Sequence, residues 1–429
     1  MKKRNFLKLA ASGLAAVSAS SLATGLAGSQ ETSVKNLASI DLDLAPISSA
    51  EKRQRIKKAQ QLMQQQQVAA IVLEPGAALD YFAGIRWWRS ERFTGLVIPA
   101  HGEAFVICPF FEQPSIEEMT DVVTDIHVWQ EHENPFSMIK SLLAKRHISS
   151  GNIGFEHSVR YFVLKGVTEQ LADFSHVSAE PITRGCRMYK SNHELQLMHK
   201  ANEITLAAYQ HVFSQLELGM TQAEVKSLVN STQVALGGSK PWCLALFNEA
   251  SAYPHGTKQT QRIKNGSCIL LDSGCSFHGY QSDISRTLFF GTPSKQQVKI
   301  WQTVREGQSV AFKAAKIGKQ AGSVDDAVRD FYHSQGLGPD YQLPGLSHRT
   351  GHGIGMEGHE SVNFVKGERE ILKPGMCFSN EPGIYLPEKF GVRLEDCLYM
   401  TKAGPNWFTQ PPESFDRPLG KLAKLELSS

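Results

Sequence analysis

The sequence lacks any run of 18 or more consecutive apolar residues, so it predicts no membrane-spanning helix in the mature chain. Its seven cysteines are odd in number and include no C-x-x-C pair, which argues against a disulfide framework. It also lacks a general basic bias, because deleting residues 1–27 would remove four basic residues and no acid, and would lower the formal charge from +3 to −1. Nothing therefore indicates a nucleic-acid-binding surface.

The N-terminus has the composition of a bacterial export signal. Residues 1–8 carry four basic side chains, and a small, modestly apolar stretch follows to about residue 27. The string K-R-N-F-L-K at 3–8 resembles a twin-arginine signal, with Lys3 in place of the first arginine. We therefore expect export to the periplasm, with 1–27 as the signal and 28–48 as a polar linker. A basic tail without an export role is the alternative.

The rest of the chain is long enough for two domains. Strand-like segments alternate with helical patterns up to about residue 180, which favours an α/β domain over 49–186. From 187 to 429, helices are followed by strands in blocks, which favours an α+β domain with helices covering a curved antiparallel sheet. The helices there begin at capping-box pairs, Ser191/Glu194, Thr221/Glu224 and Ser294/Gln297. The strand-like segments of the whole chain lie at 69–73, 95–99, 104–108, 267–273, 283–290, 376–381 and 391–400.

Two aspartates flank a segment rich in turn residues. Asp272 ends the apolar string C-I-L-L-D, and Asp283 opens D-I-S-R-T-L-F-F. A hairpin could bring both carboxylates side by side, where they repel each other unless a cation lies between them. Taken alone, the pair is better explained as ordinary hairpin-end aspartates.

Further candidate ligands lie in the C-terminal third. Three histidines, His348, His352 and His359, occur within twelve residues, among glycines that let the backbone pass closely. Glu381 and Glu395 lie in apolar strand-like strings, where an unpaired charge costs several kcal/mol. Carboxylates with one imidazole favour hard or borderline divalent ions, manganese first, with iron, cobalt or zinc as alternatives. The number of such ligands suits two metal ions rather than one.

Five motifs in order resemble those of the pita-bread metallopeptidases, which include methionine aminopeptidase, aminopeptidase P, prolidase and the creatinase relatives. They are P-H-G around His255, L-D-S-G with D-I-S-R-T, H-R-T-G-H-G-I-G, N-E-P-G-I-Y and V-R-L-E-D. The resemblance runs from about Ser49 to about Thr401. It implies an α+β fold with a catalytic pita-bread domain after a smaller, creatinase-like N-terminal α/β domain.

The resemblance also implies roles for single residues. His255 and His359 would face the substrate and stabilise the tetrahedral intermediate, and His348 would be a further pocket histidine. Arg393 would support the metal ligands, and Glu381 would relay a proton as well as bind metal. The implied ligands of two divalent ions are Asp272, Asp283, His352, Glu381 and Glu395.

The proline-specific branch of the family implies the reaction. We expect hydrolysis of the peptide bond before proline in dipeptides or short peptides by a metal-bridging hydroxide, in a homodimer. One departure is the string H-E-S-V-N at 359–363, where relatives carry H-E-x-P followed by a basic residue. The missing arginine leaves dipeptidase and aminopeptidase P-like cleavage both open.

Two other functions are compatible with the motifs. A relative on the same fold could act as a hydrolase or lyase on a small zwitterion of the dimethylsulfoniopropionate or ectoine type. A binding protein with a vestigial site is less well supported, because the whole ligand set is present. In the N-terminal domain, the string W-W-R-S-E-R at 87–92 is either a packed surface loop or a loop that reaches the active site of a second subunit.

Overall fold

The structure is a computed structural model that describes residues 37, 40 and 43–427. The predicted export signal lies outside the described residues, as does most of the predicted linker. The helices are α1 (Ser49–Gln65), α2 (Ala77–Ala83), α3 (Gln113–Met119), α4 (Pro135–Lys145), α5 (Tyr161–Gln170), α6 (Glu180–Arg187), α7 (Asn192–Gln215), α8 (Gln222–Ala235), α9 (Lys295–Ala314) and α10 (Gly322–Ser334).

The strands divide into an N-terminal and a C-terminal group. The first group is β1 (Val68–Leu73), β2 (Gly95–Pro99), β3 (Phe105–Pro109), β4 (Ile126–Trp129), β5 (Gly151–Phe155) and β6 (Phe174–Ser178). The second group is β7 (Ser239–Phe247), β8 (Ser267–Phe277), β9 (Tyr280–Gln281), β10 (Ile284–Phe290), β11 (Gly351–Gly353), β12 (Glu360–Phe364), β13 (Cys377–Asn380), β14 (Gly383–Leu386), β15 (Phe390–Arg393), β16 (Asp396–Thr401), β17 (Gly404–Trp407), β18 (Thr409–Gln410) and β19 (Lys421–Leu422).

The N-terminal strands form one mixed sheet in the order β4-β3-β2-β1-β5-β6. Strand β2 runs antiparallel to its two neighbours, and the other pairs are parallel. Side chains of β1 alternate between two cores: Ala70 and Val72 pack with α4 and α5, whereas Ile71 and Leu73 pack with α1 and α2. Helices on both faces explain why the strands are continuously apolar, and the structure is the α/β domain that the sequence predicts.

The C-terminal helices cover antiparallel strands, in agreement with the α+β prediction. Helix α7 buries the predicted apolar stripe, including Met198, Ile204 and Ala208, each with no exposed surface. All three predicted capping boxes are present at the starts of α7, α8 and α9. A fourth, formed by Ser48 and Glu51 at the start of α1, is an addition to the prediction.

The single curved sheet of the prediction is divided into hydrogen-bonded pieces. The larger ones are β10-β8-β7, with β9 beside β8, and β12-β11-β13-β16-β17. They meet where the backbone N–H of Glu395, between β15 and β16, donates to the carbonyl of Ser285 on β10 over 3.1 Å. The strand pairing is interrupted at Glu395, because its backbone N–H donates to the other sheet and not to a neighbouring strand of its own sheet.

Within the described residues, no helix combines the length and the apolar character that crossing a bilayer requires. All seven cysteines are buried free thiols.

Candidate metal centre

The five predicted metal ligands lie in or directly beside different strands and converge on one point. Three overlapping groups of their ligand atoms each lie within 4.8 Å of one another, and one of these groups includes His359. Asp272 lies inside β8, Asp283 directly before β10, and His352 in the middle of β11. Glu381 follows β13, and Glu395 separates β15 from β16. The strand ends of both large sheets therefore enclose the site.

The hairpin of β8 and β10 brings the two aspartates together, but not as predicted. Asp272 does not end its strand, because β8 continues to Phe277, which is buried against α7 together with Cys275. The chain turns only at residues 278–279. Close contact of the hairpin strands requires Gly274, since an added Cβ would lie 2.0 Å from the carbonyl oxygen of Ser282.

The two glutamates also differ from the prediction, because neither lies within a strand. The backbone N–H of Glu381 donates to the carbonyl of Thr350 over 2.8 Å, as that of Glu395 does to Ser285. These two hydrogen bonds lie outside the regular strand pairing, and they place both carboxylates at the gap between the sheets.

Protein groups bind one carboxylate oxygen of Asp272 and one of Glu395, and within the part of the chain that the structure describes they leave the other oxygen of each residue without a protein partner. Arg393 donates to Oδ2 of Asp272 over 2.6 Å and to the hydroxyl of Ser285 over 3.0 Å. Ser285 in turn donates to Oε2 of Glu395 over 2.9 Å. The opposite oxygens, Oδ1 of Asp272 and Oε1 of Glu395, are buried without a hydrogen-bond partner among the described residues, as is Oδ1 of Asp283. Arg393 thus supports the site as predicted.

His352 presents one ring nitrogen to these acids. Its Nδ1 lies 3.1 Å from the carbonyl oxygen of Gly353, to which it donates, so Nε2 carries the lone pair. Nε2 lies 3.4 Å from Oε1 of Glu381, 3.7 Å from Oδ2 of Asp283 and 3.9 Å from Oε1 of Glu395. Burial, followed by the charge of His359, lowers the pKa of His352, which keeps the ring neutral.

Burial and mutual repulsion make the ionised form of these carboxylates unfavourable. Burial raises the pKa of Asp283 well above its ordinary value, and the charges of Asp272 and Glu381 add to this. Burial likewise raises the pKa of Glu395, with Asp283 as the next cause. Burial raises the pKa of Glu381 to about 7, although Arg393 opposes the shift.

The donor set therefore fits divalent cations. Buried oxygens without partners, mutually repelling carboxylates and a neutral imidazole nitrogen are what a hard or borderline ion would satisfy. The four carboxylates outnumber the guanidiniums of Arg393 and Arg349 that act on them, which leaves a net negative charge for divalent ions to balance.

Two of the predicted substrate-facing histidines lie beside this cluster. The ring of His359 packs at 4.1 Å between centroids from that of His352, and the residue is in part open to solvent. His255 is exposed on the loop after the 3-10 helix Asn248–Ala252, and its charge contributes to a lowered pKa of His359, for which burial is the largest cause.

His348 is held by contacts on both ring nitrogens. Nδ1 donates to the carbonyl of Arg349 over 2.7 Å, so Nε2 accepts the hydroxyl proton of Tyr385 over 2.7 Å. Tyr385 also accepts from Arg393 over 3.0 Å. Burial and then Arg393 lower the pKa of His348 to about 3, so the ring stays neutral. The result is a chain of hydrogen bonds from His348 through Tyr385 and Arg393 to Asp272.

The sequence analysis did not identify three residues of this site: Ser285, Tyr385 and Arg349. Tyr385 ends the N-E-P-G-I-Y motif and Arg349 lies in H-R-T-G-H-G-I-G, so their motifs were the available signal. The guanidinium of Arg349 donates to Oδ1 of Asn363 over 3.0 Å and has no carboxylate within 4.0 Å among the described residues. Its charge lies close enough to contribute to the lowered pKa of His352 and of His359.

Comparison with known proteins gives matches over both halves of the chain. A family model described as Metallopeptidase family M24 matches residues 196–402, and one described as Creatinase/Prolidase N-terminal domain matches 55–189. The Xaa-Pro dipeptidase of Lactobacillus helveticus is 30% identical over 82% of this chain and 96% of that protein. Probable dipeptidase PepE of Mycobacterium tuberculosis is 30% identical over 79% of this chain and 88% of that protein. The crystal structure of dipeptidase PepE from Mycobacterium ulcerans superposes with a TM-score of 0.80 at 29% identity, covering 86% of this chain and 98% of that one.

Proposed function

Because this chain belongs to metallopeptidase family M24, we propose that it hydrolyses the peptide bond before proline in dipeptides and other short peptides. The observation that carries the proposal is the buried group of carboxylates with free oxygens beside a neutral histidine. The named activities of the relatives support the choice of substrate. They favour a peptidase over the zwitterion lyase and over a binding protein.

The proposed ligands of two divalent ions are Asp272, Asp283, His352, Glu381 and Glu395. Manganese is our first choice of metal, because oxygen donors outnumber the single imidazole. When bound, two such ions activate water for attack and polarise a carbonyl group at neutral pH.

Glu381 is proposed to move the proton. Its carboxylate lies at the edge of the cluster, with Oε1 3.4 Å from Nε2 of His352 and 3.5 Å from the hydroxyl of Ser379. A carboxylate there can take a proton from the attacking water and return it to the departing proline nitrogen.

The histidines divide into two roles. His359 and His255 are exposed beside the cluster and are free to donate to the oxyanion and to the scissile-bond region. His348 has both ring nitrogens engaged, so we assign it a positioning role through Tyr385 and Arg393. This refines the sequence prediction that His348 is a pocket histidine.

A free carboxylate at the end of a dipeptide has a candidate partner. The sequence lacks an arginine after His359, yet Arg349 places an unpaired guanidinium beside the site, held by Asn363. Asn363 pairs with His352 across β11 and β12, which fixes the guanidinium relative to the metal ligands. We infer that Arg349 supplies the positive charge and that dipeptides are accepted.

The test is an assay of purified, manganese-loaded protein against four substrates. They are an Xaa-Pro dipeptide, an Xaa-Pro-Yaa tripeptide, an Xaa-Ala dipeptide and a sulfonium zwitterion. We expect cleavage of the first, weaker or equal cleavage of the second and little turnover of the others. Turnover of the zwitterion alone would show that the lyase function is correct and the peptidase proposal wrong.

We also propose that the protein is exported and that it forms a homodimer. Export through the signal at 1–27 is supported by its basic start and small apolar stretch. Fractionation of cells that produce the full chain, compared with a chain lacking 1–27, tests it. Periplasmic activity is expected only for the full chain.

The homodimer proposal is supported by the loop at residues 87–92. Trp88 is 63% exposed and stacks on the partly buried Trp87 at 4.2 Å between centroids, and a second subunit would cover this exposed aromatic side chain. Light scattering on the purified chain tests it, with a particle of twice the chain mass as the expected result.

A further inference from the structure

His359 stands beside the metal cluster without side-chain support of its own. Among the described residues, none makes a hydrogen bond to its ring, which packs only on the ring of His352. Apart from this ring contact, its position is set by the backbone of the segment that carries it, residues 354–361.

The residue directly after it fastens that segment. Oε1 of Glu360 accepts the backbone N–H of Met356 over 3.0 Å and that of Glu357 over 3.3 Å. The carboxylate thus closes the segment into a compact turn that ends next to His359.

Two cations from outside the segment hold the same carboxylate. Arg187, the last residue of α6, donates to Oε1 of Glu360 over 2.6 Å and to Oε2 of Glu357 over 2.6 Å. Lys190 donates to Oε2 of Glu360 over 2.9 Å, and its own backbone N–H donates to the carbonyl of Gly375 over 2.8 Å. The side chains of Lys190 and Glu360 are only 3% and 6% exposed, so little solvent screens the pair.

The arrangement is tightly packed at Gly355 and borders a small cavity elsewhere. A Cβ added at Gly355 would lie 2.7 Å from the Glu360 carboxylate and 2.8 Å from Cε of Lys190. On the other side a cavity of about 120 Å³ borders Arg187, His359 and Glu360. The carboxylate contacts therefore add to the backbone bonds that hold the segment, such as that from the N–H of Gln281 to the carbonyl of Gly355 over 2.8 Å.

From these contacts we propose that Glu360, held by Arg187 and Lys190, is a positioning residue that fixes His359 over the catalytic centre. Glu360 does not touch the reacting atoms, and it acts only through the backbone of residues 356–360. The inference rests on the proposed function, in which His359 donates to the developing oxyanion.

The experiment is a double-mutant cycle with Glu360→Gln and His359→Ala. Glu360→Gln keeps the shape of the side chain and removes the charge that holds the two cations. We expect kcat to fall about 10- to 100-fold, as misplaced catalytic groups do, with KM and metal content unchanged. In the His359→Ala background the same change should lower kcat less than about 2-fold, because residues that act as a unit are not additive.

Matched variants separate positioning from stability. Glu194→Gln removes another buried carboxylate, paired with Arg55 at 2.9 Å, and should lower the melting temperature while leaving kcat unchanged. Lys190→Met removes one of the two cations and should give a smaller loss of kcat, which keeps the test available if Glu360→Gln folds poorly.

A spectroscopic readout does not depend on activity. In zinc-loaded protein, the ring signals of His359, identified by their absence in His359→Ala, should broaden or shift in Glu360→Gln and stay in place in Glu194→Gln. Full additivity of the two substitutions, or unchanged ring signals, would overturn the proposal. A wild-type protein that cleaves no Xaa-Pro substrate would instead refute the proposed function, and the ring signals would still decide the position of His359.

Discussion

Two groups of buried carboxylates lie close together in this fold and are neutralised in opposite ways. Around Glu360, Arg187 and Lys190 supply the compensating charge: burial alone would raise the pKa of Glu360, but these cations lower it to about 2. Around Glu395, the neighbours of the carboxylate are mostly other carboxylates, and its pKa is raised. The first group is neutralised within the chain, whereas the second keeps an excess of carboxylates that the proposed metal ions would neutralise.

The comparison shows how a structure reveals a binding site without a bound ligand. Burial by itself does not distinguish the two groups, because both lie out of water. What differs is whether each oxygen has a partner. Oε1 and Oε2 of Glu360 both accept hydrogen bonds, whereas Oε1 of Glu395 has none among the described residues. A buried acceptor without a partner costs about 1–3 kcal/mol, so such atoms persist where a ligand satisfies them.

The largest expected effect comes from removing one of the proposed metal ligands. Asp272→Ala should lower kcat/KM by about 10³-fold or more, because the metal ions supply both the nucleophile and the electrophile. Peptidase assays with metal added in excess measure this loss. A variant that stays active with no bound metal would show that the ligand assignment is wrong.

The same Glu→Ala change should have opposite effects on stability in the two groups. Glu360→Ala leaves the buried Lys190 unpaired and Arg187 with Glu357 as its one remaining carboxylate partner, and it should lower the free energy of unfolding by about 3–5 kcal/mol. In chelator-treated protein, Glu395→Ala removes a carboxylate that its neighbours repel, so stability should stay the same or rise. Urea unfolding of both variants in a chelator provides the comparison, and an equal loss for both would remove the distinction between the groups.

The pH dependence of the chelator-treated protein should reflect the raised pKa of Glu381. Its folded-state pKa of about 7 exceeds the ordinary value of 4.5, so the folded protein holds a proton that the unfolded chain releases. Stability from this group is present below about pH 4.5 and is lost as the pH rises through about 7. Unfolding measured from pH 5 to 8 should show this decline, and saturating zinc or manganese should abolish it.

A smaller loss of activity is expected from breaking the hydrogen bonds that join His348 to Arg393 through Tyr385. Tyr385→Phe removes the hydroxyl that joins His348 to Arg393. A lost hydrogen bond of this kind costs about 1–3 kcal/mol, so we expect a loss of about 10-fold in kcat with metal content retained. Loss of metal together with activity would instead make Tyr385 part of what holds the ligands.

The smallest effect on stability is expected far from both groups. Trp88→Ala changes an exposed side chain and should alter the free energy of unfolding by no more than about 0.5 kcal/mol. If the loop reaches a second subunit's active site, KM should rise or kcat fall, whereas unchanged kinetics would leave it a surface loop. Phe111→Ala, at another exposed aromatic residue, is the control.

Much of the site was predictable from sequence because its ligands lie in short motifs. The three capping boxes could be placed from residue type and spacing, whereas the five proposed ligands and Arg393 were predicted from the family motifs that they match. Strand boundaries were less predictable: Asp272 lies inside β8 because Cys275 and Phe277 pack against α7, which is remote in sequence. The hydrogen bonds of Arg187 and Lys190 to Glu360 join residues about 170 positions apart in the sequence. No local sequence pattern predicts such a pairing.

The most direct test of the account is the metal content of the purified chain. Elemental analysis after loading with manganese and removal of free metal should give about two ions per chain for the wild type, fewer for Glu395→Ala, and an unchanged value for Glu360→Gln. A wild-type protein that retains no metal, or a Glu395→Ala variant that retains as much as the wild type, would contradict the assignment of the buried carboxylates as a two-metal site.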